Sequence, residues 1–362
     1  MTKKDEIQTE ALDATNGVKY AGVVLGTGMG KTFLGIKHML RGYTDCKMFL
    51  VVAPKINILK GWAKEMQERG YDYLLENVHF CTYLSLHKQQ LNLYDCVYLD
   101  ESHNVKIKHT KWLELNNSSV LGLTGTPPRY KTSESAIAAK NFFPTVYEYT
   151  VDEAIEAGLL NKYKIYIHQL SLSDKKTFRT KFGVTSEQES YRKWCVKINN
   201  NPLDQMAKVM RMKTMQSYNT KIEYAKKLLK QQTRKTLVFT DYTEQADFIC
   251  TESYHSKNKK SKENLELFKE GKINKLSSVQ QIEEGENIKG LEVGIILHAY
   301  ANEKRLPQKI GRFLRLNPEN TGVIHLLCYK ETIDMTWMKA ALKNFNKEKI
   351  FKYDTTKTTH PA

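Results

Sequence analysis

The sequence predicts an α/β protein of two tandem domains, each a parallel sheet flanked by helices, with a helical linker or insertion between them. Three observations predict it. Short apolar runs bounded by turn residues alternate with stretches of helical spacing in both halves of the chain, as parallel sheets with crossover helices require. A glycine-rich turn, Gly26-Thr27-Gly28-Met29-Gly30-Lys31-Thr32, separates the first apolar run from the first clear helix. A chain of 362 residues is also long enough to build two domains with cores of their own. The expected boundaries are residues 1–170 for the first domain, 171–233 for the linker and 234–353 for the second domain. Residues 354–362 are expected to be a disordered tail.

Composition narrows the partners. The formal net charge of +16 fits a polyanion, most often nucleic acid. No apolar run approaches the roughly 20 residues of a membrane span, and Met1-Thr2-Lys3-Lys4-Asp5-Glu6 is too polar for a secretory leader. The six cysteines are scattered without a CxxC pair, and four lie in apolar runs. That usage predicts a reducing cytosol, no zinc site and no disulfide framework.

Taken in order, Glu6 to Thr15 reads as a helix ended by Asn16-Gly17. Ala21 to Leu25 reads as a buried strand, and Phe33 to Arg41 as the helix after the turn. Strand, glycine-rich turn, Gly-Lys-Thr and helix make a phosphate cradle. Backbone N–H groups of the turn and helix N-terminus face the phosphates, Lys31 adds a point charge, and the Thr32 hydroxyl can ligate Mg²⁺. The strict pattern asks for glycine six residues before the lysine, where this chain has Leu25. Lys47 to Ala53 is the next strand, stopped by Pro54. Lys60 to Met66 has helical spacing, and Val78 to Tyr83 alternates as a strand. Tyr94 to Leu99 is a further buried strand carrying Asp100-Glu101-Ser102-His103 at its C-terminal end, where open α/β sheets place ligands. There Asp100 suits Mg²⁺, and Glu101 suits orienting or deprotonating a water. Val120 to Leu123 repeats the arrangement and ends in Thr124-Gly125-Thr126-Pro127.

Tyr163 to Leu170 alternates as a strand. Residues 171–233 are dense in lysine and arginine and carry helical spacing, which makes them a contact surface for phosphates or a solvated hairpin. Lys235 to Thr240 opens a second set of strands. Lys262 to Glu270 reads as a helix, Val293 to Ala299 and Gly322 to Tyr329 as strands, and Trp337 to Lys352 as a basic amphipathic helix. Between these strands lie Glu283 to Leu291 and Gln308-Lys309-Ile310-Gly311-Arg312-Phe313-Leu314-Arg315. Two arginines three apart on a helix face present fixed guanidinium forks.

The joint order of these stretches resembles the superfamily 2 helicases and translocases. Lys31-Thr32, Asp100-Glu101-Ser102-His103 and Thr124-Gly125-Thr126-Pro127 resemble its motifs I, II and III. Ala53-Pro54 with Trp62 resembles motif Ia, and Cys81-Thr82-Tyr83 motif Ib. The stretch Lys235 to Tyr242 resembles motif IV, the one holding Gly285 and Asn287 motif V, and the one holding Gln308, Arg312 and Arg315 motif VI. Leu25 also fits, since the branch resembling phage UvsW and eukaryotic XPB often has leucine there. The resemblance implies two RecA-like domains with ATP in the cleft between them, and a site complete only when they close. ATP and Mg²⁺ are the implied cofactors.

It further implies nucleotide contacts from Gln8, which would read adenine, from Gly26, Thr27, Gly28, Met29, Gly30, Lys31 and Thr32, and from Gly285 and Asn287. Catalysis falls to Lys31, Asp100, Glu101, Gln308, Arg312 and Arg315, metal ligation to Thr32 and Asp100, and relay to His103, Thr124 and Thr126. Nucleic acid would meet Pro54, Lys55, Thr82, Tyr83 and Thr240. The expected activity is an ATP-dependent DNA helicase or translocase, a monomer acting on branched or duplex DNA in replication, recombination or repair, alongside proteins of those processes. An RNA helicase and a clamp that uses its ATPase only for timing are the alternatives. Ser102-His103 rather than Ala-Asp, and a motif Ia without the RNA-type residues, weigh against RNA. Residues 171–233 hold few aromatics, so they are expected to grip backbone rather than stack on bases, with weak unwinding of long plain duplexes.

Overall fold

The computed structural model describes residues 2–26, 28–128, 133–160, 162–180, 183–279, 288, 290–300, 305–314, 321–343 and 345–355. Two compact units divide the chain, one built from Met1–Asn161 and the other from most of the chain after it.

The first unit is a six-stranded, all-parallel sheet. Its strands are β1 (Tyr20–Leu25), β2 (Phe49–Ala53), β3 (Val78–Thr82), β4 (Cys96–Asp100), β5 (Ser119–Thr124) and β6 (Thr145–Tyr149), in the order β3-β2-β4-β5-β1-β6. The inner strands read as unbroken apolar runs because both faces are covered; every residue of β2 and β4 is buried. This order sets the C-terminal ends of β3, β2, β4, β5 and β1 side by side, so five separated stretches of sequence share one edge. Helices Lys3–Ala14, Lys31–Gly42, Ile56–Glu68, Ile107–Glu114 and Glu134–Phe142 belong to this unit.

The second unit holds a seven-stranded parallel sheet. Its strands are β7 (Lys162–Leu170), β10 (Thr236–Thr240), β11 (Ser253–Tyr254), β12 (Lys275–Val279), β13 (Val293–Ile296), β14 (Thr321–Tyr329) and β15 (Ile350–Asp354), in the order β11-β12-β10-β13-β14-β7-β15. A two-stranded antiparallel hairpin, β8 (Phe178–Thr180) and β9 (Gly183–Thr185), lies apart from it. Two parallel-sheet units flanked by helices are the tandem RecA-like architecture that the resemblance implies.

Three expectations change. The strand at 162–170 pairs with β14 over nine residues, so it belongs to the second sheet, and the first unit ends at Asn161 rather than at 170. Residues 171–233 are not a separate linker. They hold the β8–β9 hairpin and three helices (Glu187–Asn200, Gln205–Gln216, Asn219–Gln231), and Met215, Tyr218, Ala225, Leu228 and Leu229 pack into the second core with Val238 and Ile295. Trp337 to Lys352 is not one helix: Ile333–Ala341 is helical, and the chain then returns as β15 beside β7. Of the expected tail, Asp354 still belongs to β15 and the Thr355 N–H bonds Gln169 O, while 356–362 lie outside the described residues. Among the described residues no helix is long and apolar enough to cross a membrane.

Candidate active site

The phosphate loop leaves β1 and enters helix Lys31–Gly42 through Gly30, whose φ of 81° and ψ of 43° cap the helix in the left-handed region. Gly28 is also left-handed, with φ 95°. A side chain at 30 would be strained and its Cβ would sit 2.6 Å from Gln8 Nε2, so glycine is required twice over. Lys31 and Thr32 fall in the first helical turn, where unpaired N–H groups and the helix dipole favour an anion. Leu25 is fully buried at the end of β1, where a side chain fills the core and no glycine geometry is demanded. Thr27 lies outside the described residues.

Gln8 is buried beneath this loop. Its amide N–H₂ donates to Met29 O at 3.1 Å and to Gly30 O at 3.4 Å, and its carbonyl accepts from Lys37 Nζ at 3.1 Å. Lys4 Nζ donates to Gly28 O at 3.2 Å, and burial lowers its pKa. Helix Lys3–Ala14 therefore holds the loop from behind. Gln8 and Met29 are brought together by the amide hydrogen bond, and Lys4 and Lys37 were not singled out in the sequence.

Asp100 ends β4 in a buried position. Its Oδ2 accepts from Trp62 Nε1 at 2.8 Å, its Oδ1 from the Glu101 N–H at 2.8 Å, and its main-chain oxygen from the Tyr83 hydroxyl at 2.8 Å. Burial first, and the Glu101 carboxylate second, push the Asp100 carboxyl up to about 6; the Trp62 N–H and Lys31 pull the other way. A buried carboxylate held short of full charge compensation is a good seat for a cation, and its oxygens are hard donors of the kind Mg²⁺ takes. Trp62 is itself fully buried. A sequence signal was available for its role, since a buried indole N–H must find an acceptor.

Glu101 turns the chain sharply, with φ 47° and ψ 51° for a non-glycine residue, which lifts its carboxylate off the strand line. His103 is buried behind it. One ring nitrogen, Nδ1, lies 2.9 Å from Thr124 Oγ1, 3.1 Å from Thr126 Oγ1 and 3.4 Å from Glu101 Oε2. The tautomer follows from Asn104. Its Nδ2 donates to Glu101 O at 3.0 Å, so the same N–H₂ faces His103 Nε2 at 3.2 Å and makes that nitrogen the acceptor. Nδ1 then carries the hydrogen, and one N–H faces three oxygens. The sheet order that sets β4 beside β5 creates this junction, joining the Glu101 carboxylate to the hydroxyls of the 124–126 strand end.

The expected nucleic-acid residues divide. Pro54, Lys55 and Thr82 lie at the ends of β2 and β3, Lys55 exposed and the other two half-buried, with Thr82 Oγ1 3.1 Å from Ser85 Oγ. The largely exposed Ile56 and Leu84 flank them and were not singled out. Tyr83 is a correction: its ring lies in the core and its hydroxyl holds Asp100, so it supports the strand end instead of facing a ligand. Thr240 is another, because its side chain is buried and its hydroxyl is 3.3 Å from Tyr242 O and Ser278 O.

In the second unit, helix Arg305–Ile310 carries half-buried Gln308 and tightens into a 3-10 turn, Gly311–Leu314. Arg312 thus lies on the turn rather than on a continuous helix. Phe313 fixes the turn from below, its ring against Gly294 and its backbone against Gly322, positions where an added Cβ would come within 2.4 and 2.6 Å. Lys309, buried one turn earlier, donates to the Tyr300 hydroxyl at 2.5 Å, and that hydroxyl donates to Asp241 Oδ1 at 2.8 Å. Lys309 also lies 5.0 Å from the centre of the Phe239 ring. The sequence placed Lys309 in the motif but showed no sign of this anchor. Arg315, Gly285 and Asn287 lie outside the described residues.

Comparison with known proteins follows the same division. The family described as "Type III restriction enzyme, res subunit" matches residues 2–129, and the "Helicase conserved C-terminal domain" family matches residues 220–317. The DNA 3'-5' translocase XPB2 of Sulfurisphaera tokodaii is 23% identical over 363 aligned positions, which take in 89% of this chain and 81% of that protein. Among solved structures, the DNA-bound ATP-dependent Type ISP restriction-modification enzyme LlaBIII matches with a TM-score of 0.64 and 13% identity over 99% of this chain, which spans 32% of that enzyme's length. A fragment of a putative HsdR subunit of a type I restriction enzyme from Vibrio vulnificus matches at 0.62 with 14% identity, covering 96% of this chain and 67% of that one. The Hef helicase domain of Pyrococcus furiosus matches at 0.51 with 13% identity, covering 93% and 97%. These structural likenesses concern the fold. With a restriction-enzyme res-subunit match on the first half, a helicase C-terminal match on the second, and an XPB-type relative aligned along most of its length, the chain is similar to the superfamily 2 helicases and translocases, and the XPB-like branch fits.

Proposed function

We propose that the protein is a DNA-stimulated ATPase that translocates on duplex or branched DNA and remodels branch points in replication, recombination or repair. The observation that carries this reading is the His103 junction. A single buried N–H faces the Glu101 carboxylate and two threonine hydroxyls at the end of the next strand, so a shift at Thr124–Thr126 changes what Glu101 is bonded to. That is what an ATPase answering to a polymer needs.

In this reading the loop N–H groups and Lys31 hold the β- and γ-phosphates. Thr32 and Asp100 hold Mg²⁺, which neutralises phosphate charge when bound. Glu101 orients the attacking water and accepts its proton, and His103 fixes the carboxylate's direction. Gln8 keeps the loop shaped for adenine nucleotides. Arg312, with Arg315 by resemblance, stabilises charge developing on the γ-phosphate. The net charge of +16 supports a nucleic-acid track, and the name of the XPB2 relative supports DNA.

The test is the ATPase rate with no nucleic acid, plain duplex, forks, Holliday junctions, single strands and RNA. Stimulation by duplex and branched DNA above single strands and RNA is expected. Equal rates on all, or stimulation by RNA alone, would contradict the proposal.

A further inference from the structure

Helices Glu187–Asn200 and Gln205–Gln216 form an antiparallel hairpin whose two ends differ sharply. The base is fastened. Buried Glu187 accepts from the Ser173 N–H at 3.1 Å, the Thr220 N–H at 2.9 Å and the Thr220 hydroxyl at 2.8 Å. The Tyr191 hydroxyl accepts from the Ile333 N–H at 2.9 Å, and Met215 and Tyr218 enter the core.

The tip is ordered too, yet it carries exposed apolar side chains. Asn201 Oδ1 accepts from the Leu203 N–H at 3.2 Å, and Asn201 O from the Asp204 N–H at 3.1 Å. Asp204 then caps the second helix through the Ala207 N–H at 2.8 Å. This closed turn holds Leu203 83% exposed, with Met206, three residues on, at 68%, and Val196, four residues before the end of the first helix, at 50%. Apolar atoms kept in water by a rigid, capped turn have the form of a contact surface awaiting a partner.

Charge identifies that partner. Residues 188–216 hold six basic side chains (Arg192, Lys193, Lys197, Lys208, Arg211, Lys213) against two acidic ones, Glu189 and Asp204, and Asp204 is the cap. A basic-sided stem with aliphatic groups at its end matches how proteins engage unstacked base pairs, with cations on the phosphates and an aliphatic wedge against the base face. An acidic protein partner would answer the stem but leave the aliphatic tip to chance.

We propose that Leu203 and Met206 pack against the terminal base pair at a DNA branch point, with Lys193, Lys197 and Lys208 on the flanking phosphates. The inference rests on the DNA-motor reading above. It departs from a pure backbone grip at the tip alone.

The test compares wild type, Leu203→Ser/Met206→Ser and Lys193→Ala/Lys197→Ala. Each is titrated against a fork and an equal-length duplex, the fork carrying 2-aminopurine at the branch point, and DNA-stimulated ATPase is measured in parallel. Wild type is expected to prefer the fork and to brighten the probe. The serine pair should bind the fork about tenfold more weakly, leave duplex affinity and duplex-stimulated ATPase unchanged, and lose the brightening, as loss of two aliphatic contacts requires. The alanine pair should weaken both DNAs alike. Unchanged fork preference and brightening in the serine pair overturns the inference. So does equal weakening on fork and duplex in that pair, or a wild type with DNA-stimulated ATPase but no fork preference, which would leave the tip to a protein. Absence of any DNA stimulation in wild type overturns the motor reading instead.

Discussion

Replacing Asp100 with asparagine is expected to stabilise the nucleotide-free protein at alkaline pH while abolishing turnover. On folding, the Asp100 carboxyl moves from the usual 3.8 to about 6, chiefly through burial. A raised acid binds more protons folded than unfolded between those values. Wild-type stability therefore falls as pH climbs from about 4 to 6 and stays lower above that window. Two units correspond to about 3 kcal/mol. Asparagine removes the charge but turns one oxygen into a donor, so either the Trp62 or the Glu101 N–H loses its 2.8 Å acceptor. That loss returns roughly 1–2 kcal/mol. The net gain at pH 8 is about 1–2 kcal/mol, or a few degrees in Tm for a domain of this size. Below pH 4 the wild-type carboxyl is itself neutral, the charge relief is gone and only the lost acceptor remains, so the variant should there be about 1–2 kcal/mol less stable than wild type. Thermal melts of metal-free, nucleotide-free protein, followed by tryptophan fluorescence at pH 4 and pH 8, measure both. A variant less stable than wild type at pH 8, or one gaining equally at both, would refute the argument.

Four further outcomes follow from the same geometry. Glu101→Gln should bind ATP as wild type does in equilibrium titration and lose on the order of 10²-fold or more in turnover, since a carboxamide cannot accept the water's proton. Arg312→Ala should lower turnover by about 10³-fold with a smaller change in ATP affinity, as expected of charge that acts on the transition state. His103→Ala should leave basal ATPase largely intact while reducing its stimulation by DNA, because it removes the N–H between Glu101 and Thr124; full stimulation in that variant would contradict the relay. DNA affinity should fall steeply with salt, at a log–log slope of about −4 to −5 on duplex if some five phosphates are neutralised.

The sequence was most legible where one property repeats locally. The runs at β1, β2 and β4 up to Leu99 are apolar because parallel strands bury both faces, and the loop and the Asp-Glu-Ser-His end follow them directly. What stayed hidden has physical reasons. β12 reads Lys-Leu-Ser-Ser-Val, and its serines are buried with Ser277 donating to Ala246 O at 2.9 Å, so its polarity masks a strand. β6 is an edge strand, only half covered, and gives no clear alternation. The strand at 162–170 was visible as a strand, but nothing local assigns it to a sheet, because that depends on β14 some 150 residues later. The Trp62–Asp100 and Lys309–Tyr300–Asp241 bonds are likewise made only once distant strands meet. Tyr83 and Thr240 were expected ligand contacts whose side chains turn inward, because a motif position does not tell which way a side chain points.

The central claim, that ATP hydrolysis drives movement on DNA, is tested most directly by triplex displacement and fork regression with wild type and Lys31→Ala side by side. Wild type should displace a third strand and regress a fork in the presence of ATP and Mg²⁺, and Lys31→Ala should bind the same DNAs and do neither. Hydrolysis stimulated by DNA with no displacement from any duplex, or displacement undiminished in Lys31→Ala, would contradict it.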